Sequence, residues 1–115
     1  MPPIEMQPTA ADDPEIVAGG SKLQARSFIV GRNPNPVDID MRLYGFTFRQ
    51  PPTQVLVQPR VEDNYADTWG DQFAVLVISV AADHVRVKIR RVDGGGGPAP
   101  WAGLNLRLDV LAVGR

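Results

Sequence analysis

Three stretches of this 115-residue chain collect side chains that could bind a ligand. In RRVDGGGGPAPWAG, Arg91, Asp93 and Trp101 flank four consecutive glycines. An indole face stacks on the apolar face of a sugar ring, and charged groups hydrogen-bond its hydroxyls. The glycines suggest a phosphate cradle only superficially, because no Gly-Lys-Ser/Thr follows and no helix opens behind them. In GRNPNPVD, Asn33, Asn35 and Asp38 offer short amide and carboxylate groups on a turn. In EDNYADTWGD, Asp63, Asp67 and Asp71 do not keep the D-x-D-x-D-G spacing of a calcium loop, so a solvated loop is expected there. Tyr65 and Trp69 in that loop form either a second aromatic platform or a cap on the core. His84 is the only histidine, and cysteine is absent. No metal triad, thiolate or disulfide can therefore be assembled, and no nucleophile elbow marks a hydrolase. No catalysis, metal or other cofactor is expected.

Bulk properties narrow the classes further. Twelve basic and thirteen acidic residues leave a net charge of -1, without the basic excess that phosphate neutralisation needs, so nucleic acid is not the expected partner. No apolar run reaches the ~20 residues of a membrane helix, and no membrane insertion is expected. The start, MPPIEMQPTAADDPEIVAGG, lacks the basic and apolar regions of a secretory signal. Synthesis in the cytoplasm is expected, with a place in a virion or outside the cell reached after lysis. Eleven prolines and eleven glycines oppose long helices.

Residues 1–20 show no sustained period and read as an extended arm or disordered tail, with wrapping of a neighbouring subunit as the functional alternative. Residues 21–115 read as one domain. Period-2 patterning gives six strands: KLQARSFIV, DIDMRLYGFTF, TQVLVQP, QFAVLVISV, HVRVKIRRV and LNLRLDVLAV. Met41, Leu43 and Gly45 share one face of the second strand, against Arg42, Tyr44 and Phe46. In the fifth, Val85, Val87 and Ile89 point inward. Arg86, Lys88 and Arg90 face water there, with a neighbouring acid such as Asp109 as partner. Leu104, Leu106, Leu108 and Val110 point inward from the last. The expected architecture is all-β, a six-stranded antiparallel β-sandwich.

The fourth strand is apolar on both sides. Phe73, Val75 and Val77 lie on one face, and Leu76, Ile78 and Val80 on the face that should be wet. Leu56, Leu111 and Val113 are candidates for the same surface. Contiguous exposed apolar area of that kind marks an interface, and these six residues are the expected oligomer contact, with burial under a loop or the N-terminal arm as the alternative.

In order and spacing, FTFRQPPTQVLVQP, DQFAVLVISV, HVRVKIRRVD and LNLRLDVLAVG together resemble the H-type lectin domain, over about residues 22–114. That is the family of snail agglutinins and their bacterial and phage-borne relatives. The resemblance implies a six-stranded sandwich assembled as a homotrimer, with sugar sites where end loops converge near protomer boundaries. The Trp-His pair used by the snail lectins is replaced near Val92 and Asp93, and Gln72 stands where their fourth strand carries an arginine. The ending is closer to the bacterial and phage members.

Two functions follow. The first is a non-catalytic carbohydrate-binding or adhesion module acting as a homotrimer, with Asn33, Asn35, Asp38, Arg91, Asp93 and Trp101 as sugar contacts. The alternative is a phage virion or tail structural protein that uses the same fold as a trimerisation scaffold. Expected partners are other copies of the chain, with glycans or other virion proteins.

Overall fold

The computed structural model describes residues 3–9, 15–31, 38–61, 73–91 and 106–115. Among them eight strands form two facing four-stranded sheets. They are β1 (Ile4–Met6), β2 (Glu15–Ala18), β3 (Ser21–Gly31), β4 (Ile39–Tyr44), β5 (Gln54–Val61), β6 (Phe73–Val80), β7 (His84–Arg91) and β8 (Leu106–Gly114). One sheet has the order β1-β4-β7-β6 and the other β2-β3-β8-β5. All pairings are antiparallel except β1 with β4.

All six strands read from the period are present, and two short ones join them. Both come from the first twenty residues. The described parts of that segment run along this chain's own edges, β1 beside β4 in one sheet and β2 beside β3 in the other. Between them the Thr9 backbone N–H donates to the Ser27 carbonyl at 2.9 Å. The segment therefore stitches the two sheets along one side, and β5 and β6 form the opposite side. The described parts of the arm lie along β4 and β3 and leave Leu56, Leu76 and Ile78 exposed.

Alternation builds the core. Phe28 from β3, Leu43 from β4, Val85, Val87 and Ile89 from β7, and Leu106 and Leu108 from β8 are essentially sealed from solvent. Each inward strand position meets the opposite sheet, which is the usual way two β-layers exclude water. Leu104 lies outside the described residues.

Two departures from the expected phase have local causes. Phe46 turns inward and not outward, because β4 ends at Tyr44 and Gly45 adopts φ +108°, which breaks the alternation. Phe46 then packs 6.4 Å from Phe28 and 6.3 Å from Phe48, ring centre to ring centre, and these rings close one end of the core. A side chain on Gly45 would also collide with the ring of Pro8. In β6 the register against β7 shifts between Val77 and Ser79. The extra residue, Ile78, reverses the phase beyond it, so Val80 sits opposite the buried Val85 and leaves the outer face it was expected to share with Leu76 and Ile78.

Candidate functional site

Strand polarity sorts the connections into two ends. The hairpin β2–β3 turns in two residues, Gly19 and Gly20, both at positive φ (58° and 83°), as a tight twist-matched hairpin turn demands. The β6–β7 turn at Ala81–Asp83 lies at the same end, as does the β4–β5 connection carrying Phe46 and Phe48. At the other end Gly31 and Val61 both lie opposite Leu106, and Phe73 lies opposite Arg91. The β3–β4, β5–β6 and β7–β8 connections, residues 32–37, 62–72 and 92–105, therefore all leave from and return to that one end. Connections rooted together on a rigid scaffold are where binding residues concentrate.

The sequence-derived sugar contacts divide accordingly. Asn33, Asn35, Asp93 and Trp101 lie outside the described residues, as do Tyr65, Trp69, Gln72, Val92 and the aspartates of the β5–β6 connection. Asp38 and Arg91 are described, and both stand at the root of this end, Asp38 just before β4 and Arg91 closing β7. The Asp38 carboxylate is engaged: the Arg90 guanidinium donates to it twice, at 2.7 and 2.9 Å. Arg91 also has a partner of its own.

The outer face of the β1-β4-β7-β6 sheet is a lattice of such forks. Arg86 donates to both oxygens of Asp40, at 3.0 and 2.7 Å. Arg42 lies 3.8 Å from Glu5. The acids that answer the β7 cations are thus Asp38 and Asp40, at the start of β4. Asp109, the expected partner, belongs to the other sheet, where it accepts hydrogen bonds from Ser27 and Arg60. The Arg90 hydrogen bonds hold the Asp38 carboxyl below its ordinary range, and those from Arg86 do the same for Asp40. For Asp109 burial is the largest influence and pushes upward, but the hydrogen bonds from Arg60 and Ser27 and the charges of Arg60 and Arg107 together outweigh it and the carboxyl is lowered. Beside this lattice, an open groove of about 410 Å³ runs between Ala74 and Leu76 on β6 and Lys88 and Arg90 on β7, with Asp38 at its edge. An aliphatic wall beside fixed charges suits an amphipathic ligand.

The outer face of the other sheet is of different character. Cross-strand rows set Leu56 beside Leu111 and Ala25, and Val113 beside Leu23 and Ile16. Leu56 is 68% exposed and Ile16 61%. The six residues read from the sequence as one interface therefore fall on two sheets: Leu56, Leu111 and Val113 here, and Leu76, Ile78 and Val80 on β6, where Leu76 and Ile78 are exposed and Val80 turns toward the core side. Sequence reasoning missed Ile16, Leu23 and Ala25. The alternation of Leu23 and Ala25 in KLQARS was the available signal, and the four-residue β2 that carries Ile16 offered none.

His84 is a structural residue. Its Nδ1 lies 2.7 Å from the Asp83 carboxylate and its ring 4.9 Å from that of Tyr44.

Comparison with solved structures gives the fold a counterpart. The sandwich resembles part of a pyocin tail fibre. It matches the C-terminal part of the R1 pyocin fibre of P. aeruginosa with a TM-score of 0.62 at 20% identity, over 84% of this chain and 24% of that one. It matches an N-truncated R1-type pyocin tail fibre with a TM-score of 0.63, also at 20% identity, over 84% of this chain and 72% of that chain. The chain thus spans about a quarter of the longer fibre chain. No family model matches the sequence, and no curated protein matches it.

Proposed function

We propose that this chain is a non-catalytic structural module of a phage tail fibre or related particle, assembled as a homotrimer. The observation that carries this reading is the tail-fibre likeness of the sandwich over 84% of the chain. The apolar rows around Leu56 and Leu111 support the assembly. They form an uncharged patch at one end of a face whose far end carries the Arg60–Asp109 pair, whereas ion pairs occupy the opposite face around Asp38, Asp40 and Glu5. In this reading the β2-β3-β8-β5 sheet turns toward sister copies, and Leu76 and Ile78 add an edge contact. The particle partners would be other tail or virion proteins, and the location a virion or an extracellular particle.

A second reading rests on the gathering of three long connections at one end. There Asn33, Asn35, Asp38, Arg91, Asp93 and Trp101 would contact a cell-surface sugar, in the manner implied by the H-type lectin resemblance. Three weak sites on one trimer would gain strength from valency.

Light scattering coupled to gel filtration tests the first reading. A mass near three chains is expected, and a monomer at tens of micromolar would remove it. A glycan array probed with the purified chain separates the readings. Saturable binding to one sugar class, lost on Trp101→Ala, supports the second, and silence at high valency leaves the scaffold role alone.

A further inference from the structure

Two arginines at the end opposite the long connections differ from the other described arginines. Arg86, Arg90 and Arg60 fork onto Asp40, Asp38 and Asp109, and Arg42 lies by Glu5. The guanidinium groups of Arg49 and Arg115, by contrast, have no side-chain partner among the described residues. Only their backbones meet, the Arg49 N–H donating to the Arg115 carbonyl at 2.7 Å.

Both arginines line a cleft of about 630 Å³ together with Lys22, Ser21 and the Gly19-Gly20 turn. Lys22 is held in place, its ammonium donating to the Thr47 carbonyl at 2.7 Å. The acid nearest this ammonium, Glu15, lies 3.9 Å away and already accepts a 2.6 Å hydrogen bond from Gln24. Around each glycine the space where a side chain would stand is open to 4 Å. A ligand can therefore approach the turn's backbone, with the Ser21 hydroxyl beside it. Three side-chain cations against the occupied Glu15 carboxylate and the α-carboxylate that Arg115 carries in this 115-residue chain leave the hollow with a positive excess, on a chain whose net charge is -1.

We propose that this cleft binds an anionic oxygen group, phosphate or carboxylate, with Arg49 and Arg115 supplying the charge-assisted hydrogen bonds. Guanidinium forks match the planar spacing of such oxygens, which suits the site better to an oxyanion than to a monatomic ion. The site lies away from the long connections and does not depend on the reading given above for them.

The test is a two-dimensional amide NMR titration of the full chain at constant ionic strength, with inorganic phosphate in one arm, glucuronate in a second and chloride as the control. Saturable shifts confined to Gly19, Gly20, Ser21 and the residues around Arg49 are expected with phosphate or glucuronate. The arm that saturates identifies the source of the anion. Arg49→Gln should weaken the response about tenfold, the scale set by losing one hydrogen bond to a charged group, and Arg115→Gln should weaken it as well. Arg49→Gln keeps the backbone bond to Arg115, so the spectrum should otherwise be that of the parent. Arg42→Gln, on the other sheet, should leave the response unchanged. Shifts that never saturate, that spread over both sheets, that appear equally with chloride, or that persist unchanged in Arg49→Gln would overturn the proposal.

Discussion

Replacing Gln24 by leucine tests how the N-terminal segment is held. Gln24 is the one buried polar side chain of the described core and is fully shielded from solvent. Its amide nitrogen donates to Glu15 on β2 at 2.6 Å and to the Thr47 hydroxyl at 2.7 Å, and its oxygen accepts from the Thr47 backbone N–H at 3.0 Å. One side chain thus ties β2, β3 and the β4–β5 connection together. Leucine fills nearly the same volume but satisfies none of these groups. Leaving the Thr47 N–H facing a methyl group costs about 1–3 kcal/mol. Glu15 and Thr47 are themselves exposed, so water can replace their lost bonds, each at about 0.5–1 kcal/mol. The added apolar contact offsets part of this, and the net expectation is a loss of about 2–3 kcal/mol, a large share of the 5–15 kcal/mol typical of a domain. Urea denaturation should show a lower midpoint at unchanged slope. Hydrogen exchange should accelerate in Glu15–Ala18 more than in β7. A Gln24→Leu variant as stable as the parent, with β2 equally protected, would refute the clasp.

Other perturbations probe the remaining parts. Leu56→Asp should dissociate the proposed trimer: burying a leucine is worth about 1.5–3 kcal/mol, roughly two-thirds of this side chain is exposed to begin with, and three copies together lose about 3–6 kcal/mol. Gel filtration with light scattering reads this directly, and a trimer that survives Leu56→Asp but not Leu76→Asp would move the contact to β6. Gly45→Ala forces a side chain into φ +108° and against Pro8, so a lower melting temperature is expected, with β1 detached first; an unchanged melting curve would count against the packing described. Acid should also act through the ion pairs. Asp38 and Asp40 titrate below their ordinary 3.8 when folded, so their stabilisation is complete above that value and is lost as pH falls through the lower folded values. Melting curves between about pH 5 and 2 should be flatter for the Asp38→Asn, Asp40→Asn double variant than for the parent, and parallel curves would contradict the assignment.

The parts of the fold legible in the sequence are those that carry a clean alternation for six residues or more. Val85, Val87 and Ile89 in β7, and Leu106, Leu108 and Val110 in β8, are buried as the period demands. β1 and β2 span three and four residues, too short for a period to show, and they exist because β4 and β3 offer unpaired edges. Phe46 and Val80 reversed face for local reasons, a positive-φ glycine and a one-residue bulge, which hydrophobic patterning does not encode. The Arg86 and Arg90 ion pairs span 46 and 52 positions, so the existence of acidic partners could be expected but their identity could not. The apolar faces were visible as residue types. Their division between two sheets depends on pairing partners, which only the register supplies.

The two ends of the sandwich also differ in how freely they can change. Residues 32–37, 62–72 and 92–105 are bracketed by strands whose register is fixed elsewhere, and doubling such a connection costs only about 0.6 kcal/mol in closure entropy. Insertions after Gly31, Val61 or Arg91 therefore cost little in closure entropy while the described strand pairings keep their register. The opposite end has no such latitude, since Gly45, Phe46 and Phe48 are bound into the plug that shuts the barrel of side chains below. A lineage carrying this scaffold can diversify what one pole presents to its surroundings while the other stays constant.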